Sequence, residues 1–445
     1  MSGWSIPRAP LCALWLLERA GFAAYIVGGC VRDACRGVSP HDWDVTTAAR
    51  PEQMLEVFGA AGYATVPTGI KHGTVSVLID TAEGRVPVEC TTYRIDGDYT
   101  DARHPDRVSF TDRIADDLAR RDFTVNAMAA RVRGIGAWEQ LPPTADGRMY
   151  SFPEHDIELI DLHGGREDLS RGCLRCVGEP LVRFSEDALR ILRGVRFCVQ
   201  LGMTPDAPTR AALADAADGL SHVSRERVAA ELVRMLSVPD TRPSVGLALM
   251  SEAGLWKHTL PALLQGRHAA FSNEKALFDA VDALPPDAML RLALLLSGVE
   301  METARTSCCE LRLSGKQTAT VCATLSAPAV LAPPLSAPLS DGALRRYMAT
   351  LGEDWERGLW LCGALDAPHA AAYENARARG HEIIRRGDAL SVSALAVDGR
   401  VLMTHCGVRG REVGALLERL LAAVLEHPEY NERETLLSLC EKYRS

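Results

Sequence analysis

The chain has 445 residues, 47% apolar and 24% charged, an ordinary balance for a globular protein and length enough for about three domains. Its longest apolar runs, such as Leu292–Leu296, fall far short of the ~20 residues that cross a bilayer, and Met1–Pro10 carries no secretion signal, so a cytoplasmic protein with no membrane role is expected. A net charge of −9 argues against a chain coated in nucleic acid but leaves room for a local basic groove, and the 13 cysteines, with one CxxC at Cys173–Cys176, read as mostly buried, reduced thiols.

In chain order, Leu11, Leu14, Trp15 and Leu17 put an amphipathic helix at 11–20, followed by a strand at 23–27 that runs into Gly28–Gly29. Strands are expected at 42–45, 74–79 and 86–93, the last an edge strand or a late-starting one because Pro87 cannot donate to a ladder. This alternation up to about residue 135 predicts an α/β or α+β head. From about 184 helices replace strands. Ser185 is placed to cap a helix over 186–201, and helices are expected at 211–217, 225–236 and 245–253. Pro328, Pro333, Pro334 and Pro338 predict a break or linker. Beyond them Leu344, Tyr347, Met348 and Leu351 share a helix face, and Val413, Leu416, Leu417, Leu420 and Val424 form an apolar stripe that reads as core.

The informative cluster is Gly28-Gly29-Cys30-Val31-Arg32-Asp33 followed by Asp42-Trp43-Asp44. A glycine pair offers backbone N–H groups at a tight turn where a phosphate can approach. Arg32 is placed to pair with that phosphate, and Asp33 to hold either the turn or Arg32. On a strand, residues i and i+2 point the same way, so Asp42 and Asp44 should converge. Two carboxylates that close are comfortable only around a cation, and Mg²⁺ is suited to one or two carboxylates plus substrate phosphates. Glu89 on a neighbouring strand is the candidate third carboxylate. Each signal is weak alone; together they describe a site for a triphosphate and its metal ions.

These residues resemble the first motif of the class II tRNA nucleotidyltransferases and bacterial poly(A) polymerases. Further segments follow in the same order: Lys71-His72-Gly73-Thr74-Val75, Glu89-Cys90-Thr91-Thr92-Tyr93-Arg94, Asp101-Ala102-Arg103-His104-Pro105, Asp117 to Met128, Ile160 to Gly165, and Ser185 to Phe197. The likeness is dense over 20–255 and returns at 395–437. It implies an α+β fold, with a nucleotidyltransferase head built on a small mixed β-sheet and an all-helical neck, body and tail. The expected divisions are a head at 1–150, a neck at 151–255, a degenerate body with its Pro-rich linker at 256–340, and an RNA-binding tail at 341–445. It also implies Mg²⁺-dependent addition of C, C and A to tRNA 3′ ends from CTP and ATP, with no protein partner evident.

Within that frame Gly28, Gly29, Arg32, Arg120 and Arg121 are expected on the nucleotide, with Asp122 orienting an arginine of its own motif. Asn126 either contacts ribose or bonds local backbone. Asp187 and Arg190, three apart on one helix face, can read a base: the carboxylate accepts from the exocyclic amine of C or A, and the guanidinium donates to the ring nitrogen. U and G present the reverse pattern. The plain alternative is a salt-bridge ladder worth ~0.3 kcal/mol per pair. Arg193 and Arg196 continue toward the triphosphate or the RNA backbone. Leu292–Leu296 runs into Ser297–Gly298 where relatives with a phosphohydrolase domain carry a His-Asp pair, so no hydrolase activity is expected. The competing functions are a poly(A) polymerase, an enzyme adding only A or only CC, and an inactive RNA-binding protein.

Overall fold

The computed structural model describes residues 3–82, 84–97, 108–141, 149–266, 269–331 and 339–444. The segment Asp101–Pro105 and Pro333, Pro334 and Pro338 therefore lie outside the described residues. The chain divides into two compact units, one comprising 1–231 and 249–258, the other 232–248 and 259–445.

The first unit is built on helix Arg8–Arg19 and a seven-stranded mixed sheet. The helix starts three residues before the predicted span, since Pro10 sits in its first turn, where no intrahelical N–H is needed. The strand order is Ile157–Asp161, Met128–Val132, Ala24–Val27, Val45–Thr47, Gly84–Thr92, Thr74–Thr81 and Ala64–Gly69. Neighbours are antiparallel except Val45–Thr47 with Gly84–Thr92. Leu11, Leu14 and Leu17 of the helix, Met54 and Phe58 of helix Pro51–Ala60, and Ile26, Val75, Val77 and Ile79 of the sheet form one buried core.

Three local expectations change. The strand predicted at 42–45 begins only at Val45, so Asp42 and Asp44 stand on the loop leading into it; the Asp44 carbonyl still accepts from Val27 N–H at 3.0 Å. Pro87 lies in a strand interior to the sheet, but Val45–Thr47 pairs only with Cys90–Thr92, so the stretch around Pro87 is locally an edge. The helix predicted over 186–201 is two: Pro180–Glu186 and Leu189–Leu201, with Asp187 extended between them. Ser185 is therefore no N-cap; its hydroxyl donates to the Val182 carbonyl in the last turn of the first helix. The break follows from Asp187, whose carboxylate accepts from Leu189 N–H and competes with the helical ladder.

The second unit is helical among its described residues. Leu292–Leu296 are all buried in helix Ala288–Leu296. Helix Gly315–Val330 continues through Pro328 and stops two residues later, so that proline does not break the helix where a linker was expected. Leu344, Tyr347, Met348 and Leu351 are buried in helix Asp341–Leu351, and the stripe on helix Arg411–Glu426 faces core. Most cysteines are buried free thiols, as expected, and Cys406 and Cys440, buried on helices Gly399–Cys406 and Arg433–Arg444, are the pair joined as a disulfide; their separation of 34 residues carries no framework signal. Among the described residues no helix is long and apolar enough to cross a membrane.

A tight contact ties the segment after the sheet to the Asp117–Met128 motif: a Cβ on Gly165 would fall 2.2 Å from the Thr124 carbonyl oxygen. Gly165→Ala should destabilise the protein by roughly 2–4 kcal/mol, read as a lowered Tm, whereas Gly59→Ala, in open space on a helix, should leave Tm unchanged or raise it.

Candidate active site

Two groups of side chains meet in the first unit. The first is acidic. Asp42, Asp44 and Glu89 line one cleft of about 810 Å³ together with His41, Trp43 and Arg8. Asp42 and Asp44 come from the loop before strand Val45–Thr47, Glu89 from the adjacent strand. Trp43 packs its ring on the core below, which holds the loop down between the two carboxylates. Desolvation by the cleft walls, then Glu89 and Asp42, push the Asp44 carboxyl above its usual range, against the pull of Arg121. Unneutralised negative charge on hard oxygen donors fits a divalent cation of the magnesium type. Among the described residues no three acidic, His or Cys side chains are gathered into a ready cage. Mg²⁺ fits such a site because it takes one or two carboxylates and completes its shell with water and phosphate oxygens.

The second group is cationic and is held by buried acids. Gly28 has φ +83° and its N–H donates to the Met128 carbonyl, so the turn is fixed where only glycine is comfortable. Arg121 lies over it: a Cβ on Gly28 would be 2.8 Å from Arg121 Nη1. Arg32, one turn into helix Gly29–Cys35, is gripped in a fork by Asp33 at 2.9 Å and donates Nη1 to Asn126 Oδ1 at 2.6 Å. Asp33 thus holds Arg32. Asn126 Nδ2 in turn donates to Asp122 Oδ1.

Asp122 does not orient Arg120 or Arg121, as the sequence suggested. Its carboxylate takes Arg193 through Nε and Nη2 at 2.8 and 2.6 Å. Burial alone would raise its pKa, but Arg193 and the Phe123 N–H bring it down to about 2. Arg120 and Arg121 belong to Asp117, which is fully buried; burial opposes its charge, and the two guanidiniums hold its pKa below the usual carboxylate range. Sequence reasoning quoted Asp117 without assigning it a task. Its signal was there: it precedes Arg120 and Arg121 by three and four positions on a helical turn. Arg121 Nε is buried with no acceptor, while Nη1 is the atom that lies over the glycine turn.

Asp187 and Arg190 sit at the junction of the two short helices. Asp187 accepts from Leu189 N–H and from both Arg227 amino groups. Of the roughly four acceptor sites of a carboxylate this leaves about one. Arg190 donates to Glu186 and to the carbonyls of Arg183 and Arg120, leaving its Nε–H and one Nη2–H. The pair thus keeps one acceptor and free donors, held by Arg227 and Glu186, neither of which the sequence reading named. Arg196 is buried against Glu231 and Gln200, so it does not reach outward as expected.

A family model described as "Poly A polymerase head domain" matches residues 24–175, and one described as "Probable RNA and SrmB- binding site of polymerase A" matches 202–265. The CCA-adding enzyme of Levilactobacillus brevis is 32% identical over 437 residues, covering 96% of this chain and 95% of that protein. The CCA-adding enzyme of Leuconostoc mesenteroides is 42% identical over 236 residues, and there the chain spans about half of the relative's length, 51%. Among solved structures, the Bacillus stearothermophilus CCA-adding enzyme in complex with CTP matches with a TM-score of 0.73 at 27% identity, covering 98% of both chains.

Two outcomes are expected of the buried acids. Asp117→Ala leaves Arg120 and Arg121 without their shared counter-charge and should cost about 3–5 kcal/mol in denaturant unfolding. Asp122 has a folded pKa of about 2, depressed from its ordinary value, so its stabilisation is full above that ordinary value and is lost as the pH falls toward 2. Asp122→Asn should accordingly flatten the acid limb of the stability–pH curve.

Proposed function

The chain belongs to the family that unites CCA-adding enzymes with poly(A) polymerases, and on that premise we propose that it adds C, C and A to tRNA 3′ ends, taking CTP and ATP as substrates without a nucleic-acid template. The observation that carries this reading is that three carboxylates line one cleft and that Arg121, which pulls on Asp44, lies over the Gly28 turn.

Asp42 and Asp44, with Glu89 on the neighbouring strand, would hold Mg²⁺. The bound ion supplies charge neutralisation at the phosphates and a more acidic attacking hydroxyl. Gly28 and Gly29 present backbone to the triphosphate, and Arg32, Arg120 and Arg121 supply the counter-charge. The tRNA 3′-oxygen forms a bond to the α-phosphorus as the bond to the β-phosphate oxygen breaks, the hydroxyl proton is released, and diphosphate departs. Asp187 offers its remaining acceptor site to the exocyclic amine, and Arg190 donates to the ring nitrogen. U or G would strand both, at roughly 1–3 kcal/mol for each unmade bond. Asp122, Asn126, Arg193 and Arg196 support this surface rather than line it. The head, neck, body and tail divisions at 150, 255 and 340 remain our functional partition, with the tail gripping tRNA by shape and backbone contacts in the cytoplasm.

The test is incorporation of each labelled NTP, with Mg²⁺, into tRNA transcripts ending before CCA, after C and after CC. Two C and then one A, with no U or G, is expected; A alone on the CC end or a long A tail would make it a partial or polyadenylating enzyme, and no incorporation would leave an RNA-binding protein. Asp42→Asn and Asp44→Asn should each lower incorporation on the order of a thousandfold while leaving Tm within a few degrees, because Asp42 is exposed and the amide removes from position 44 the charge that the cleft disfavours.

A further inference from the structure

One aromatic ring in the first unit has three guanidiniums around it. Phe197, on helix Leu189–Leu201, is 4% exposed. The Cζ atoms of Arg196, Arg193 and Arg32 lie 4.3, 5.5 and 5.6 Å from its centroid, and the ring of Phe123 meets it edge-on at 5.8 Å. Two of these arginines belong to the helix that carries Phe197; Arg32 comes from the helix that follows the glycine turn. A hydrogen-bonded chain closes the circuit: Arg32 donates to Asn126, Asn126 to Asp122, and Arg193 to Asp122.

Plain core packing does not account for this arrangement. Arg32 and Arg196 are buried and Arg193 is about a third exposed; Asp33, Asp122 and Glu231 each offset one of these charges, and none of the three carboxylates holds two of these guanidiniums together. The negative face of an aromatic ring attracts cations that an aliphatic side chain of equal volume would not. The ring is thus a fixed surface from which Arg32, at the glycine turn, and Arg193, one helical turn beyond Arg190, take their positions together.

We propose that Phe197 is a positioning residue that couples the grip on the triphosphate to the reading of the base, so that a nucleotide fitting Asp187 and Arg190 is also the one whose phosphates meet Arg32 in place. The inference rests on the function proposed above and adds to it a residue that touches no substrate. In Phe197→Leu the apolar volume is kept and the ring face is lost. The expected result is a rise of about tenfold in KM for CTP and ATP, an unchanged KM for tRNA, and a several-fold fall in the ratio of CTP to UTP incorporation. Phe197→Tyr, which keeps the face, should restore both values. A purely structural role would lower Tm and overall rate and leave the CTP-to-UTP ratio unmoved; that result, or a leucine variant indistinguishable from wild type, overturns the proposal. If Phe197→Leu does not fold, Phe197→Met carries the same comparison. Wild-type protein assayed alongside separates the two readings: failure to prefer C and A in wild type overturns the proposed function itself, whereas preference in wild type with an unmoved ratio in the variant overturns only the coupling.

Discussion

Burying a carboxylate beneath a group of arginines is the constraint on which the rest of the site depends. A nucleotide triphosphate needs converging positive charge, and guanidiniums set side by side repel. Asp117 and Asp122 resolve this from below, each ionised in spite of burial because two arginines, or one arginine and a backbone N–H, repay the desolvation. With its charge offset from the protein side, Arg121 keeps its Nε–H without an acceptor. The acidic cleft is the mirror case: among the described residues no ion pair holds Asp42, Asp44 or Glu89, and Asp44 stays above its usual range in spite of Arg121. One half of the site is complete as folded, and the other calls for a cation.

The positions that do this were largely legible in the sequence. The left-handed turn at Gly28 and the lining of one cleft by Asp42, Asp44 and Glu89 were legible because chemistry restricts residue type: a positive φ favours glycine, and the cation we propose for the cleft calls for carboxylate oxygens. The strand that holds Glu89 was also legible, since apolar residues between turn signals have few competing readings, whereas the strand expected over 42–45 begins only at Val45 and leaves Asp42 and Asp44 on a loop. The elements that went astray share a different property. Asp187 looked like the first turn of a long helix because its own side chain makes the break, and an Asp near a helix start has the same appearance whether it caps the helix or interrupts it. Pro328 sits in a helix that ends two residues later, where a missing N–H costs little.

Partnership was harder to read than position. Asp122 adjoins Arg120 and Arg121 in sequence yet serves Arg193, 71 residues away on helix Leu189–Leu201. Asp187 serves Arg227, 40 residues on. Such pairs depend on how the elements pack, and a single sequence carries no signal for them. The Cys406–Cys440 disulfide belongs to the same class. The consequence for the proposed function is specific: Asp187 and Arg190, the pair we propose as the base reader, are held by Arg227 and Glu186 from outside helix Leu189–Leu201, so their geometry depends on packing between helices.

The central claim is that protein side chains, with no RNA strand as template, choose the base. Equilibrium binding of CTP, ATP, UTP and GTP to the RNA-free protein with Mg²⁺ tests it most directly. Affinities for CTP and ATP that exceed those for UTP and GTP by about fivefold to a hundredfold, the equivalent of one or two stranded hydrogen bonds, are the predicted result. Equal affinity for all four would contradict it and move the selection of the base onto the tRNA.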